Sequence, residues 1–333
     1  MAAVQSEHVG RLRVRRFDAD RRDREISLEQ ALASEPTDRQ LLWVDVTGDI
    51  EARELEDLGR RFELATETRH ALESPADHPH LTVHGSHFRL SVAAEPATTH
   101  ERRASWLHVV AGRNIVITRH AKPIRLLDEI DRRVKSDATL GAVEGAEFVA
   151  LLLDGVVTSY FGAVDELEEA IDELDSASLR DDGGRAILDD LIRLRRRIAS
   201  LRHIVSRHRA LFAALSGPDM RQVVHGQDAI ADLQLVATRY EATVIAVESS
   251  RDALLGSFDV YMSRTAQRTN DVMKVLTIAT VLLLPGGVIA GLLGMNVIVP
   301  LNKDDPMSFW LVVGGVVTLA IVVLVGARRR GWI

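Results

Sequence analysis

An α/β domain followed by long helices and closed by a two-span α-helical membrane hairpin is the fold class this sequence predicts, and three observations carry it. Short apolar or alternating runs broken by glycines fill residues 10–120. From residue 124 the pattern turns helical and never returns. Two charge-free apolar runs then occupy the C-terminal end, where ordinary soluble helices would show a polar face.

The N-terminal runs at residues 12–17, 41–46, 81–84, 87–93, 107–111 and 114–119 read as strands, punctuated by Gly48, Gly85 and Gly112. Residues 51–62 have helical spacing. Helices are expected over 124–135, 144–177 and 186–215, the last two forming an antiparallel pair joined by an acidic tip at Asp181, Asp182, Gly183 and Gly184. After Pro218 nothing stops a helix before Pro285, so one rod of roughly 110 Å is expected to run from Arg221 through the first span. On its first half Tyr240, Val244, Val247, Arg251, Leu254, Phe258, Tyr261 and Thr265 step by fours and threes, the seam of a helix bundle or coiled coil. Packing against the preceding helix pair is the alternative reading of that seam.

From Val275 no charged side chain appears until Lys303, which leaves about 20 apolar residues up to Met295, enough to cross a bilayer. A second such run covers residues 309–327. Arg251, Arg264, Arg268 and Lys274 precede the first run and Arg328, Arg329 and Arg330 follow the second, so both ends are expected on the cytoplasmic side. The expected division is residues 1–140, a cytosolic α/β domain; 141–219, the helix pair; 220–271, a stalk; 272–296, the first span; 297–308, an outer loop; 309–327, the second span; and 328–333, a basic tail.

Composition narrows the function. The chain has 333 residues, no Cys and a net charge of −7, so disulfides, thiolate metal sites and Cys nucleophiles are excluded. No secretory signal opens it, which leaves the N-terminal part in the cytosol. Carboxylates crowd into residues 154–190, a field for cations and not for nucleic acid. Asp165, Glu166, Glu168, Glu169, Asp172, Glu173 and Asp175 read as a solvated face or as a concentrator of cations. His78, His80, His84 and His87 invite a transition-metal reading without a carboxylate or thiol at tight spacing. His203 and His208 lie in an Arg-rich helix suited to solvent or to an acidic neighbour. No phosphate loop or nucleophile motif is present, so an enzyme is not expected and no cofactor is implied. Arg greatly outnumbers Lys, a usage that points to a high-GC bacterium.

Within the first span, Asn270, Met273, Thr277, Thr280, Leu284, Gly287, Gly291 and Gly294 fall on one face that is smaller and more polar than the rest. Such a stripe marks either tight helix contact or a pore lining. Two helices cannot enclose a channel, so a pore requires copies of the stripe around a symmetry axis, a homo-oligomer embedded in a lipid bilayer.

The triplet Gly294, Met295, Asn296 ends this span, in register with Asp259, Tyr261, Ser263, Asn270, Met273, Lys274, Leu276, Thr277, Pro285 and the Arg-rich tail. From Asp259 to Ile333 the chain closely resembles the CorA family of divalent-cation channels, within the Gly-Met-Asn group that includes ZntB-type zinc transporters. The resemblance implies a funnel-shaped homopentamer in a bacterial cytoplasmic membrane, lined by the first span. It implies Mg²⁺ as the transported and regulatory ion, with Co²⁺, Ni²⁺ or Zn²⁺ as alternatives. It assigns the filter at the periplasmic mouth to Gly294, Met295 and Asn296 and the gate to Asn270, Met273 and Leu276. It also places a regulatory metal carboxylate on Asp259. The family's partner carboxylate falls on Leu235, with Asp232 and Glu241 nearby. A proton-coupled Zn²⁺ transporter and a membrane-anchored scaffold are the competing readings.

Overall fold

The computed structural model describes residues 11–19, 23–95, 104–134, 144–180, 184–295 and 306–329. The chain divides into two compact units, Met1–Leu255 and Gly256–Ile333.

The first unit is built on a seven-stranded sheet of order β2-β1-β3-β7-β6-β5-β4. Its strands are β1 (Arg11–Asp18), β2 (Arg24–Ile26), β3 (Gln40–Thr47), β4 (His80–Val83), β5 (His87–Glu95), β6 (Ser105–Gly112) and β7 (Ile115–His120). The pairing of β3 with β7 is parallel and every other pairing is antiparallel. The six expected strands are present, with β4 ending at Val83 and β7 starting at Ile115. The short elements β2, α1 (Leu28–Ala33) and α3 (Thr66–Glu73) join them, while α2 (Ala52–Arg61) stands where helical spacing was read.

Both sheet faces are covered, as the near-continuous apolar sequence of β3 requires. On one face Val14, Leu42, Val44, Val46 and Ile117 meet Ala31, Leu55, Leu58 and Leu72 of α1, α2 and α3. On the other, Trp43 lies 5.3 Å from the ring of Phe148 and 6.4 Å from that of Phe17. Phe148 belongs to α5 (Gly145–Arg180), which starts against the β6-β7 turn. A Cβ on Gly145 would meet the carbonyl oxygen of Gly112 at 2.2 Å, so only glycine lets the helix begin there. At the end of β3, Gly48 has φ 84°, a left-handed turn that glycine adopts without strain.

After α4 (Arg125–Val134), α5 leads to α6 (Gly184–Leu215), α7 (Met220–Val223) and α8 (Gln227–Gly294). Ion pairs fix their directions. Arg209 of α6 pairs with Glu241 of α8, and Arg202 with Glu248, so one index falls as the other rises and the helices run antiparallel. Asp154 and Glu168 of α5 meet Arg239 and Ser250 of α8 in the same order, so these two run parallel. The expected antiparallel helix pair is therefore one layer of a three-helix arrangement. The acidic tip at 181–183 lies outside the described residues.

The continuous rod expected from Arg221 is interrupted. Val224 caps α7 in an extended conformation, and the amide of Gly226 donates to Glu144 Oε2 at 3.1 Å before the helix restarts at Gln227. A side-chain acceptor just ahead of α5 offers that backbone an alternative to the helical bond, which no local pattern of residues 221–230 reveals.

The α8 seam is also shifted. Its buried positions are Ala229, Leu233, Val236, Tyr240, Thr243, Val247, Ser250, Leu254 and Ser257, so Thr243, Ser250 and Ser257 stand where Val244, Arg251 and Phe258 were expected. Tyr240 anchors it, stacked on Phe212 of α6 with centroids 3.9 Å apart. Arg251 is exposed and pairs with Glu248 and Asp252.

In the second unit, α8 from Gly256 to its end and α9 (Pro306–Arg329) are long and apolar enough to cross a membrane, and the most apolar stretch of each is unburied. α5 is also long and apolar enough, but half of its most apolar stretch is buried. The contacts of Phe148 and of Tyr160 with the sheet make it a core helix of the α/β unit.

Candidate functional site

The two apolar helices of the second unit each have one partly covered face. On α8 it is Lys274, Ile278, Leu282, Pro285, Gly286 and Ile289; on α9 it is Val312, Val313, Val316, Ala320, Val323 and Ala327. A Cβ on Gly286 would touch Val316 Cγ1 at 3.5 Å, an ordinary contact that joins these faces.

Asn270, Met273, Thr277, Thr280, Leu284, Gly287, Gly291 and Gly294 are all exposed. At about 100° per residue this stripe centres roughly 160° away from the face that meets α9. Leu276 flanks it and is 60% exposed. Gly287, Gly291 and Gly294 have nothing within 4 Å of an added Cβ. Their small size therefore serves no contact within the described residues of this chain. The hydroxyls of Thr277 and Thr280 donate to the carbonyls of Met273 and Leu276 at 2.7 and 2.8 Å, which leaves their oxygen lone pairs as acceptors. Met295 is exposed just past the helix end, while Asn296 and the loop that carries Lys303, Asp304 and Asp305 lie outside the described residues.

Asp259 is exposed on α8. Leu235, at the position of the expected partner carboxylate, is 58% exposed. Glu241 is held by two hydrogen bonds from Arg209, 3.1 and 2.9 Å. Asp232 belongs to a carboxylate group: burial first, and then the charges of Asp232, Glu144 and Asp228, push the carboxyl of Glu147 above its ordinary range. Among the described residues, no group of three or more His, Cys, Asp or Glu side chains is arranged to hold a metal ion within the chain.

The histidine quartet separates into two ring pairs, His78 with His80 at 4.9 Å and His84 with His87 at 5.0 Å. His208 is not solvated as its Arg-rich surroundings led one to expect. It is 1% exposed and accepts the amide of Ala93, because the helix turns that side chain toward the sheet. His203, five residues earlier, is exposed. Most of the acidic series on α5 is exposed as well, with Glu166 paired to Arg197 and Glu168 accepting from Ser250.

An α/β unit followed by long helices and two apolar segments of spanning length, one with a stripe of small and polar residues turned away from its neighbour helix, is the architecture of a membrane protein. Residues 38–329 match the model of the CorA-like Mg²⁺ transporter proteins. The chain belongs to that family. It is 25% identical over 245 residues to the cobalt/magnesium transport protein CorA of Thermotoga maritima, a match that spans 70% of this chain and 66% of that one. The solved structure of the CorA magnesium transporter from Methanocaldococcus jannaschii superposes with a TM-score of 0.74 over 100% of both chains at 17% identity. The cytoplasmic domain of ZntB from Vibrio parahaemolyticus shares the fold with a TM-score of 0.60 at 11% identity, covering 77% of this chain and 99% of that one.

Proposed function

We propose that the chain is a Mg²⁺ channel of the bacterial cytoplasmic membrane, acting as a homopentamer with its termini in the cytosol. The observation that carries this reading is the exposed stripe from Asn270 to Gly294, whose glycines meet no neighbour within the described chain. Five copies around an axis give those small residues a purpose, because they leave width for a hydrated ion. The hydroxyl acceptors of Thr277 and Thr280 then face its water shell.

Mg²⁺ dehydrates reluctantly, so a filter that grips its waters suits it better than one that strips them. Carbonyls near Gly294 and Met295 and the side-chain amide of Asn296 supply neutral acceptors, which hold the hydrated ion without trapping it as a carboxylate ring would. Met273 and Leu276, beside Asn270, form apolar rings that close the pore by excluding water. An inside-negative potential contributes roughly 4.6 kcal/mol per 100 mV to the entry of a divalent ion, so uptake needs no other energy source. Cytosolic cation closes the channel by bridging carboxylates of neighbouring copies. Asp259 is the first candidate and Asp232 the second, while the ion pair with Arg209 makes Glu241 the weakest of the three.

The test is ion-resolved flux. The oligomer is reconstituted in liposomes and uptake of Mg²⁺, Co²⁺, Ni²⁺ and Zn²⁺ is measured with and without a pH gradient. Potential-driven Mg²⁺ entry that vanishes in Asn296→Ala supports the proposal. Zn²⁺ entry that requires a pH gradient selects a ZntB-like transporter instead, and flux unchanged by Asn296→Ala overturns the pore assignment.

A further inference from the structure

Four strands of the α/β unit carry a polar row on a face that is otherwise core. Strand register sets His80, Ser91, His108 and Arg119 side by side across β4, β5, β6 and β7. A second row, two residues along, holds Thr82, Arg89 and Val110. Side chains two apart share a sheet face, and Val110 belongs to the core cluster under α1, α2 and α3. Polar groups on such a face cost free energy unless something answers them.

A cavity of about 260 Å³ lies over the two rows, lined by Leu72, His78, His80, Arg89, Ser91 and His108 among others. Its rim carries the exposed residues Ser74, Ala76 and His78, so it opens to solvent. Arg89 Nη1 donates to His80 Nε2 at 2.9 Å, while Arg89 Nε is buried without a hydrogen-bond partner. His80 Nδ1 in turn donates to the carbonyl of His78 at 3.1 Å. His108 Nδ1 lies 2.7 Å from Ser91 Oγ. Arg119, at the end of the row, is spent on Gly48, Leu72 and Asp49.

We infer that this cavity binds a small phosphate-type oxyanion, with the Arg89 guanidinium as its principal donor and His78, His108 and Thr82 around it. The donors are of the kind that recognise a phosphoryl group: a guanidinium fork with an unused N–H, imidazoles and a hydroxyl. A metal cation is disfavoured by the same geometry, since a guanidinium already occupies the free lone pair of His80 and the nearest carboxylate, Asp77, is 3.8 Å from His108 Nε2. The volume falls below the roughly 300–1,000 Å³ of sites for larger ligands, which favours free phosphate or a protruding phosphoryl group.

The local field agrees. Burial, followed by the charges of Arg119, His80, His78 and His120, holds His108 down to about 4. Burial likewise lowers His80; its bond to the His78 carbonyl works the other way, and Arg89 and His78 add to the lowering. An anion among these groups cancels that repulsion and draws protons onto them.

The test uses the full-length chain in detergent, titrated calorimetrically with inorganic phosphate, with sulfate and ATP in parallel, while histidine ring resonances are followed. The expected result is phosphate binding that weakens at least tenfold in Arg89→Met and less in Arg89→Lys, with an upward shift in the titration of His108. ATP binding that is lost in Arg89→Met also supports the site and names a nucleotide as the source of the phosphoryl group. His78→Gln, at the exposed rim, provides a variant with little risk to folding and is expected to weaken binding several-fold. The inference is overturned by a folded wild type that binds neither phosphate nor ATP, by undiminished binding in Arg89→Met, or by Zn²⁺ perturbing His80 and His108 where phosphate does not.

Discussion

The imidazole of His208, on α6, accepts the backbone amide of Ala93, on β5, through Nε2 at 2.9 Å. Its other nitrogen, Nδ1, donates to the carbonyl of Ile204 at 2.7 Å, so the two bonds fix a single neutral tautomer. Tyr160 of α5 donates to the carbonyl of the same Ala93 at 2.5 Å. Two helices thus hold both backbone groups of one strand residue, beside the irregularity between Ala93 and Glu95 in the pairing of β5 with β6. The ladder cannot serve every backbone group at such an irregularity, so side chains from α5 and α6 take its place.

The His208 ring also stacks on Trp106, with centroids 5.6 Å apart, so His208→Phe is expected to keep that contact while orphaning the Ala93 amide. The cost is about 1–3 kcal/mol, the range for a buried unsatisfied donor. Chemical denaturation of the wild type and the variant measures it, and an unchanged midpoint would remove His208 from the anchoring role.

Acid should loosen the α/β unit. Burial first, with Arg207 adding to it and the bond to Ile204 opposing, holds His208 down to about 4; His87, lowered by burial, His84 and Arg89, also lies at about 4. A depressed value means the folded state binds fewer protons, so this stability is present above the unfolded value of about 6.5 and is lost as pH falls toward 4. The melting temperature is expected to drop between pH 6.5 and 4, and by less in His208→Phe.

His120 works with the opposite sign. Burial lowers it, but the hydrogen bond and charge of Asp45 and the carbonyl of Lys122 outweigh burial and raise it. Its Nε2 lies 3.1 Å from Asp45 Oδ1 and its Nδ1 2.6 Å from the Lys122 oxygen, two acceptors that favour the imidazolium. This contribution is complete below about 6.5 and is lost as pH rises through the raised value. His120→Gln should flatten the alkaline side of the stability profile, which denaturation at pH 6 and pH 9 would show.

The ring pair of Phe212 and Tyr240 holds α6 to α8. Phe212→Ala is expected to cost about 3–5 kcal/mol, whereas Arg209→Ala, which removes an exposed ion pair with Glu241, should cost no more than about 1 kcal/mol. Thermal melts of the two variants give the ranking directly, and equal losses would contradict it.

On the exposed stripe of the second unit, Gly287→Leu and Gly291→Leu meet open space within the chain. The secondary structure of the protein should be unchanged by circular dichroism, while under the proposed pore assignment Mg²⁺ flux in liposomes falls at least tenfold, because the added side chains would crowd the axis. Full flux in both variants would place the stripe away from the ion path.

Periodicity and apolar length were sufficient for much of this protein. Two runs without charge near residues 275–295 and 309–327, the stripe from Asn270 to Gly294 and six of the seven strands are local patterns, and local patterns survive in a linear reading. The three-residue β2 and the short helices α1 and α3 fall below the length at which a period repeats often enough to be read. Tertiary structure decided the rest. It chose Thr243 and Ser250 over Val244 and Arg251 for the α8 seam, broke the rod at Gly226 with Glu144, and turned His208 from solvent to Ala93. It also aligned His80, Ser91, His108 and Arg119 into one row. Each of these depends on which residue stands opposite another far along the chain, and that register is set by the summed packing of whole elements, which no single stretch of sequence contains.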